Sequence, residues 1–175
     1  MKSLVTLLLF TIQLTALHAQ KPLSKKMDVY LQEIEDLVPL RDSLNESVSK
    51  VDVAWHLDHA LKVVNKLYES LESSRPEAYK YQFSLIRTLA FAWGDFPRGI
   101  AKSPTAVLPP KEIQTPELYA QLERARKNME RFRKLPKNSY YSHFIFKNIN
   151  RKRTIRFLEV HTRHHLKIIR DILKS

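Results

Sequence analysis

Seven histidines and no cysteine frame the chemistry open to this chain. Three of them, His161, His164 and His165, fall within FLEVHTRHHLKIIRDIL at residues 157–173, a span otherwise built like the apolar stripe of a helix. A buried imidazole has two ring nitrogens to satisfy, so its place among leucines and isoleucines demands a hydrogen-bond partner or a metal. Turning about 100° per residue from Leu158 puts His161, His165, Ile169 and Ile172 in one narrow sector, with His164 at its edge and Arg163 and Lys167 outside it. A separation of four residues sets two imidazoles one turn apart, within reach of a single cation.

A second histidine pair lies in WHLDH. On the same wheel, centred on Leu57 and Val64, His56 sits at the margin of the apolar stripe and His59 nearer the polar side. His56, His161 and His165 would then supply three neutral nitrogens from two helices, leaving coordination positions open for water or substrate, the layout of a reactive site rather than a closed structural one. Hydrogen-bonded core histidines fit the same spacing, and the residues alone leave both readings standing. Asp58 and Glu159 flank the ligand positions, where carboxylates often orient imidazoles, yet the wheel turns both toward surface ion pairs.

The elements that must carry these residues read as helices. Only two glycines occur, Gly94 and Gly99, and the apolar residues recur at helical rather than alternating spacing, which predicts an all-α fold. A first helix is expected from about Asp28 to Ser43, with Tyr30, Leu31, Ile34, Leu37 and Val38 inward and Pro39 kinking or ending it. Ser49 and Asp52 form a capping-box-like pair before a second helix whose stripe runs from Val53 to Leu71. A third is expected from Pro76 to a stop at Gly94, with Tyr79, Phe83, Ile86, Leu89, Ala90 and Trp93 inward. Thr115 and Pro116 open a fourth through about Lys134, and Asn150 caps the last, Arg151 to Leu173.

Between the third and fourth helices lies GDFPRGIAKSPTAVLPPKEIQ, longer than an ordinary helix connection and carrying both glycines. Arg98 and Lys102 within it are candidate clamps for an anionic substrate. His143, in YYSHFIF, reads as part of an aromatic cluster; His59 and His164 read as proton-transfer groups, supports of the metal ligands or, for His59, the alternative first ligand.

The H-x-x-x-H pair at His161 and His165, together with a helix opening S-x5-WHLDH from Ser49, resembles the DinB-like metal-binding four-helix bundles, and more closely an uncharacterised branch of that superfamily found in bacteria. The resemblance covers residues 25–173 and implies a four-helix bundle with an extra short helix and a long Gly/Pro-rich loop. It also implies one divalent metal held by a mid-helix histidine, His56 by position, and by His161 and His165. Three imidazoles accept zinc, nickel, copper or iron, and availability decides among them, with zinc or nickel the expected ion. Some members of the superfamily are thiol-dependent transferases or isomerases; metal-assisted hydrolysis is the other chemistry such a site supports.

Residues 1–19 read as a signal peptide, with Lys2 ahead of an apolar stretch and LHA before Gln20, so residues 20–175 are expected to form one exported domain, periplasmic or secreted. Lys2 is the only charged residue removed, and the net charge falls from +12 to +11. Such a charge suits an anionic partner, and the alternative to an enzyme is a non-catalytic exported protein binding a small ligand or an anionic envelope polymer. The basic runs at 124–135 and 147–156 lack any helix-turn-helix, zinc-finger or RNA-binding signature, which argues against specific nucleic-acid recognition. No phosphate loop, dinucleotide fingerprint, nucleophile elbow or HExxH is present. The substrate would be a small molecule, no transmembrane segment is expected in the mature chain, and a homodimer is admitted, though no apolar stripe is distinct enough to mark its interface.

Overall fold

A computed structural model describes residues 24–99 and 102–174, and the expected signal segment lies outside them. Five α-helices dominate: α1 Lys25–Leu37, α2 Val53–Glu72, α3 Leu85–Trp93, α4 Thr115–Arg131 and α5 Arg151–Ile172. Two short strands, β1 Tyr140–His143 and β2 Lys147–Asn150, pair antiparallel, with Tyr140 opposite Asn150 and His143 opposite Lys147. This hairpin corrects the all-α expectation. Aromatic and β-branched residues in YYSHFIFKNI suit a pleated pair, and Lys147 takes the left-handed conformation (φ 59°) that lets the turn close.

Helix α2 is the centre of the molecule. It packs on α4 and α5, and α1 packs on the same two helices. Leu57, Leu61, Val64 and Leu71 of α2 meet Leu118 and Leu122 of α4 and Leu158, Leu166 and Ile169 of α5 in one core, all essentially inaccessible to water. The stripe read from the sequence is the buried face, but burial extends further round: His56, Asp58, His59 and Asn65 are buried as well. Asp58, expected on the surface, is paired with Lys62 at 2.6 Å and accepts from Gln121 Nε2 at 2.6 Å. Asn65 accepts from Asn128 Nδ2 at 3.0 Å. The polar side of α2 is covered by α4 and by the long connection, so its polar groups find partners there rather than water.

Helix boundaries follow their caps. Asp52, not Ser49, caps α2 through Trp55 N at 2.8 Å, and Asn150 caps α5 through Arg153 N. Helix α1 begins at a Ser24 cap and ends at Leu37, because Pro39 diverts the chain into a 3-10 turn over Val38–Leu40.

The third helix departs most from expectation. Pro76 opens only a 3-10 turn, Pro76–Ala78, and α3 starts nine residues after Pro76, behind a Ser84 cap. Tertiary partners take the intervening carbonyls: Asn148 Nδ2 donates to Lys80 O, and Arg87 Nη2 to Gln82 O. Gly94 then ends the helix in the left-handed region (φ 77°). Phe83, Ile86, Leu89 and Trp93, expected inward, stand in solvent, while Arg87 is buried.

Candidate metal centre

Helices α2 and α5 lie side by side and bring four histidines into one cluster. Ring centroids are 4.6 Å apart for His161 and His165, 4.8 Å for His59 and His165, 5.2 Å for His59 and His161, and 5.3 Å for His56 and His165. One nitrogen from each of His59, His161 and His165 lies within 4.8 Å of the others. The group forms with His59, the alternative first ligand, rather than with His56 as helical phase and family position suggested. The reason is the covering of α2: the connection after α3 folds over the side that the wheel assigned to solvent, and Val107 O accepts from His59 Nδ1 at 2.8 Å.

One arrangement of protons satisfies these hydrogen bonds and suits a metal. With the Ser49 hydroxyl donating to Val51 O at 2.8 Å, its oxygen accepts from Val51 N and from His56 Nε2–H at 3.0 Å. His56 Nδ1 is therefore a lone pair, and it accepts from His165 Nδ1–H at 3.0 Å. The proton on His165 Nδ1 leaves Nε2 of His165 as a free lone pair. By the same logic the Val107 carbonyl claims the Nδ1–H of His59 and leaves its Nε2 free. His161 has a buried Nδ1 with no hydrogen-bond partner. Three close imidazoles from two helices, one of them with an unpartnered buried nitrogen, form a group that could hold a divalent metal ion.

Electrostatics agree. Burial pushes the pKa values of His161 and His165 well below the usual histidine range, with neighbouring imidazoles adding to the effect. Burial also lowers that of His59, against the pull of the Val107 carbonyl, and brings that of His56 to about 4. Neutral imidazole is the ligating form. Tetrahedral coordination at about 2.0–2.1 Å needs nitrogens about 3.3 Å apart, so ring rotations on the order of an ångström close the set.

Aromatic rings wall the cluster. Trp55 stacks on His59 at 5.0 Å and Phe157 on His161 at 5.4 Å. His164 turns away to Asp95, 3.3 Å from its Nδ1, and Lys167 pairs with the same carboxylate. Those contacts outweigh burial and hold Asp95 below its ordinary pKa. Among the remaining candidates, Arg98 is paired with Asp171 at 2.6 Å, and Lys102 is exposed. Glu159 accepts from Ser24 and pairs with Arg156, away from the histidines' ring nitrogens. His143 stacks between Phe144 and Phe146, as its aromatic context suggested.

A family model described as a protein of unknown function, DUF1569, matches residues 24–171. The chain belongs to that family. No curated protein and no solved structure matches the sequence. The DUF1569 match takes in both histidine helices and the connection that covers His59. In this DUF1569 chain, sequence reasoning missed Ser49 as the anchor of the imidazole chain, reading it as a helix cap. Ser49 lies ahead of the Asp52 cap, so the helical spacing of α2 does not extend to it. Nothing local in the sequence marks Val107, which acts through its backbone.

Proposed function

We propose that the protein binds one divalent metal ion, zinc or nickel, through His59, His161 and His165, and acts as a metal-dependent enzyme on a small molecule. The observation that carries this reading is the trio of close imidazoles, buried at His59 and His165 and half-buried at His161, with its unpartnered His161 Nδ1. Leaving that nitrogen unsatisfied costs about 1–3 kcal/mol, which a bound cation would recover. Three protein ligands leave coordination positions free, and the cation would supply Lewis acidity for hydrolytic or transfer chemistry. His56 holds His165 in its ligating tautomer, and the Val107 carbonyl does the same for His59. Trp55 and Phe157 limit water around the rings. The packing of α1, α2, α4 and α5 supports a DinB-like bundle, and residues 1–19 support export.

The test is metal content of tag-free protein after exposure to zinc, nickel and manganese. One equivalent in the wild type, lost in His59→Ala, His161→Ala and His165→Ala with helical content retained, is the expected outcome. Wild-type uptake no higher than that of a variant lacking all three histidines refutes the reading. Stoichiometric metal-dependent binding across a substrate screen, without turnover, would make the protein a ligand-binding module rather than an enzyme.

A further inference from the structure

Helix α3 has its polarity inverted. Its inner side is anchored by the buried Arg87 guanidinium, which donates to Phe146 O at 2.8 Å and to Gln82 O at 2.8 Å. Its outer side presents Leu85, Ile86, Leu89 and Trp93, preceded by Tyr81 and Phe83, each between 55% and 66% exposed. Side chains of this size leave roughly 100 Å² apiece in water, on the order of 600 Å² together, at the upper end of what a soluble monomer shows in one patch. No other described element covers this face.

The borders of the face are cationic. Along the side facing α5, Arg153 lies over the Tyr81 ring at 4.7 Å, Arg156 donates to Phe91 O, and the exposed Arg163 donates to Gly94 O at 2.8 Å. Lys80 is exposed just before Tyr81. The acids nearby are largely spent: Asp95 is buried against Lys167, Glu159 is engaged by Arg156 and Ser24, and Glu77 alone stands exposed ahead of the patch. A second copy would bring one cationic border against another on a protein of high positive charge. An anionic lipid surface complements both the apolar face and its border.

We propose that α3 seats the protein on an anionic lipid bilayer, with Ile86, Leu89 and Trp93 entering the headgroup boundary and Arg153, Arg163 and Lys80 meeting lipid phosphates. This reading is independent of the metal centre. The full chain is mixed with phosphatidylcholine vesicles with and without phosphatidylglycerol, followed by co-sedimentation and tryptophan emission, alongside light scattering without lipid. The expected result is binding to the phosphatidylglycerol vesicles, weakened by salt, with a blue shift absent in Trp93→Ala. The double variant Ile86→Gln, Leu89→Gln alters only exposed side chains and should bind at least about tenfold more weakly. The proposal is overturned by failure to bind, by undiminished binding of the double variant, or by equal binding to both vesicle types. A concentration-dependent dimer that the double variant dissociates overturns it too, assigning the face to self-association.

Discussion

Replacing Ser49 by alanine tests the hydrogen-bond chain that sets the metal centre. Its hydroxyl sits 2.8 Å from Val51 O and 3.0 Å from His56 Nε2, and His56 Nδ1 lies 3.0 Å from His165 Nδ1. Without that oxygen, His56 loses the partner that keeps its proton on Nε2. In the other tautomer His56 presents N–H to the N–H of His165, which drives the His165 proton onto the nitrogen meant for metal. The preference at stake is one part-buried neutral hydrogen bond, about 0.5–1.5 kcal/mol, or about a two- to tenfold loss of affinity. His56→Ala removes the acceptor outright and should cost about 10–100-fold, the usual effect of deleting a group that orients a metal-bound histidine. Competition titration against a chromogenic chelator measures both, with zinc as the probe. Unchanged affinity in both variants would refute the chain. Complete loss of metal in His56→Ala, with Ser49→Ala unaffected, would make His56 a ligand.

Stability should depend on acid. Burial lowers His56 and His143 from 6.5 to about 4, so the unfolded chain takes up protons first. Both contributions are intact above about pH 6.5 and drain away as pH falls toward 4, approaching roughly 3 kcal/mol each. At His143 the structural reason is visible, since its Nδ1 accepts from Ile145 N and Phe146 N and would lose both on protonation. Denaturant melts of metal-free protein between pH 7 and 4 should show this loss and a shallower slope in His143→Ala; equal slopes would contradict the assignment. Gly94→Ala should destabilise by about 1–2 kcal/mol, because Gly94 is left-handed (φ 77°) and a Cβ there comes within 3.3 Å of Arg156 Nη2. A thermal melt showing no decrease would place that strain elsewhere.

The sequence was most legible where one physical cause dominates. Apolar periodicity located the cores of α1, α2, α4 and α5, and Asn150, Pro39 and Gly94 mark real boundaries. His161 and His165 were legible for the same reason, a helical stripe interrupted by imidazoles. The choice between His56 and His59 depends on Val107 and the chain around it reaching across α2, a contact 48 residues distant that no helical wheel contains. Helix α3 misled because its periodicity is genuine but inverted. Arg87 finds three backbone carbonyls inside, two of which, Phe146 O and Asn148 O, only the folded hairpin brings there. The hairpin itself was hidden by its brevity, four residues per strand, too short for alternation to declare itself.

The connection between α3 and α4 carries a kinetic consequence. It grips the histidine helices at several points: Asp95 on His164 and Lys167, Arg98 on Asp171, Val107 on His59, and Leu108 on Lys62. For an ion held at His59 to depart, that ring must release it, and the Val107 hydrogen bond opposes the swing. Escape would then be timed by the opening of a segment that contributes no ligand. Removal by a chelator should level off at a rate that no further increase in chelator concentration can raise, and Asp171→Ala, which frees the Arg98 end of the segment, should lift that ceiling while leaving the donor nitrogens untouched.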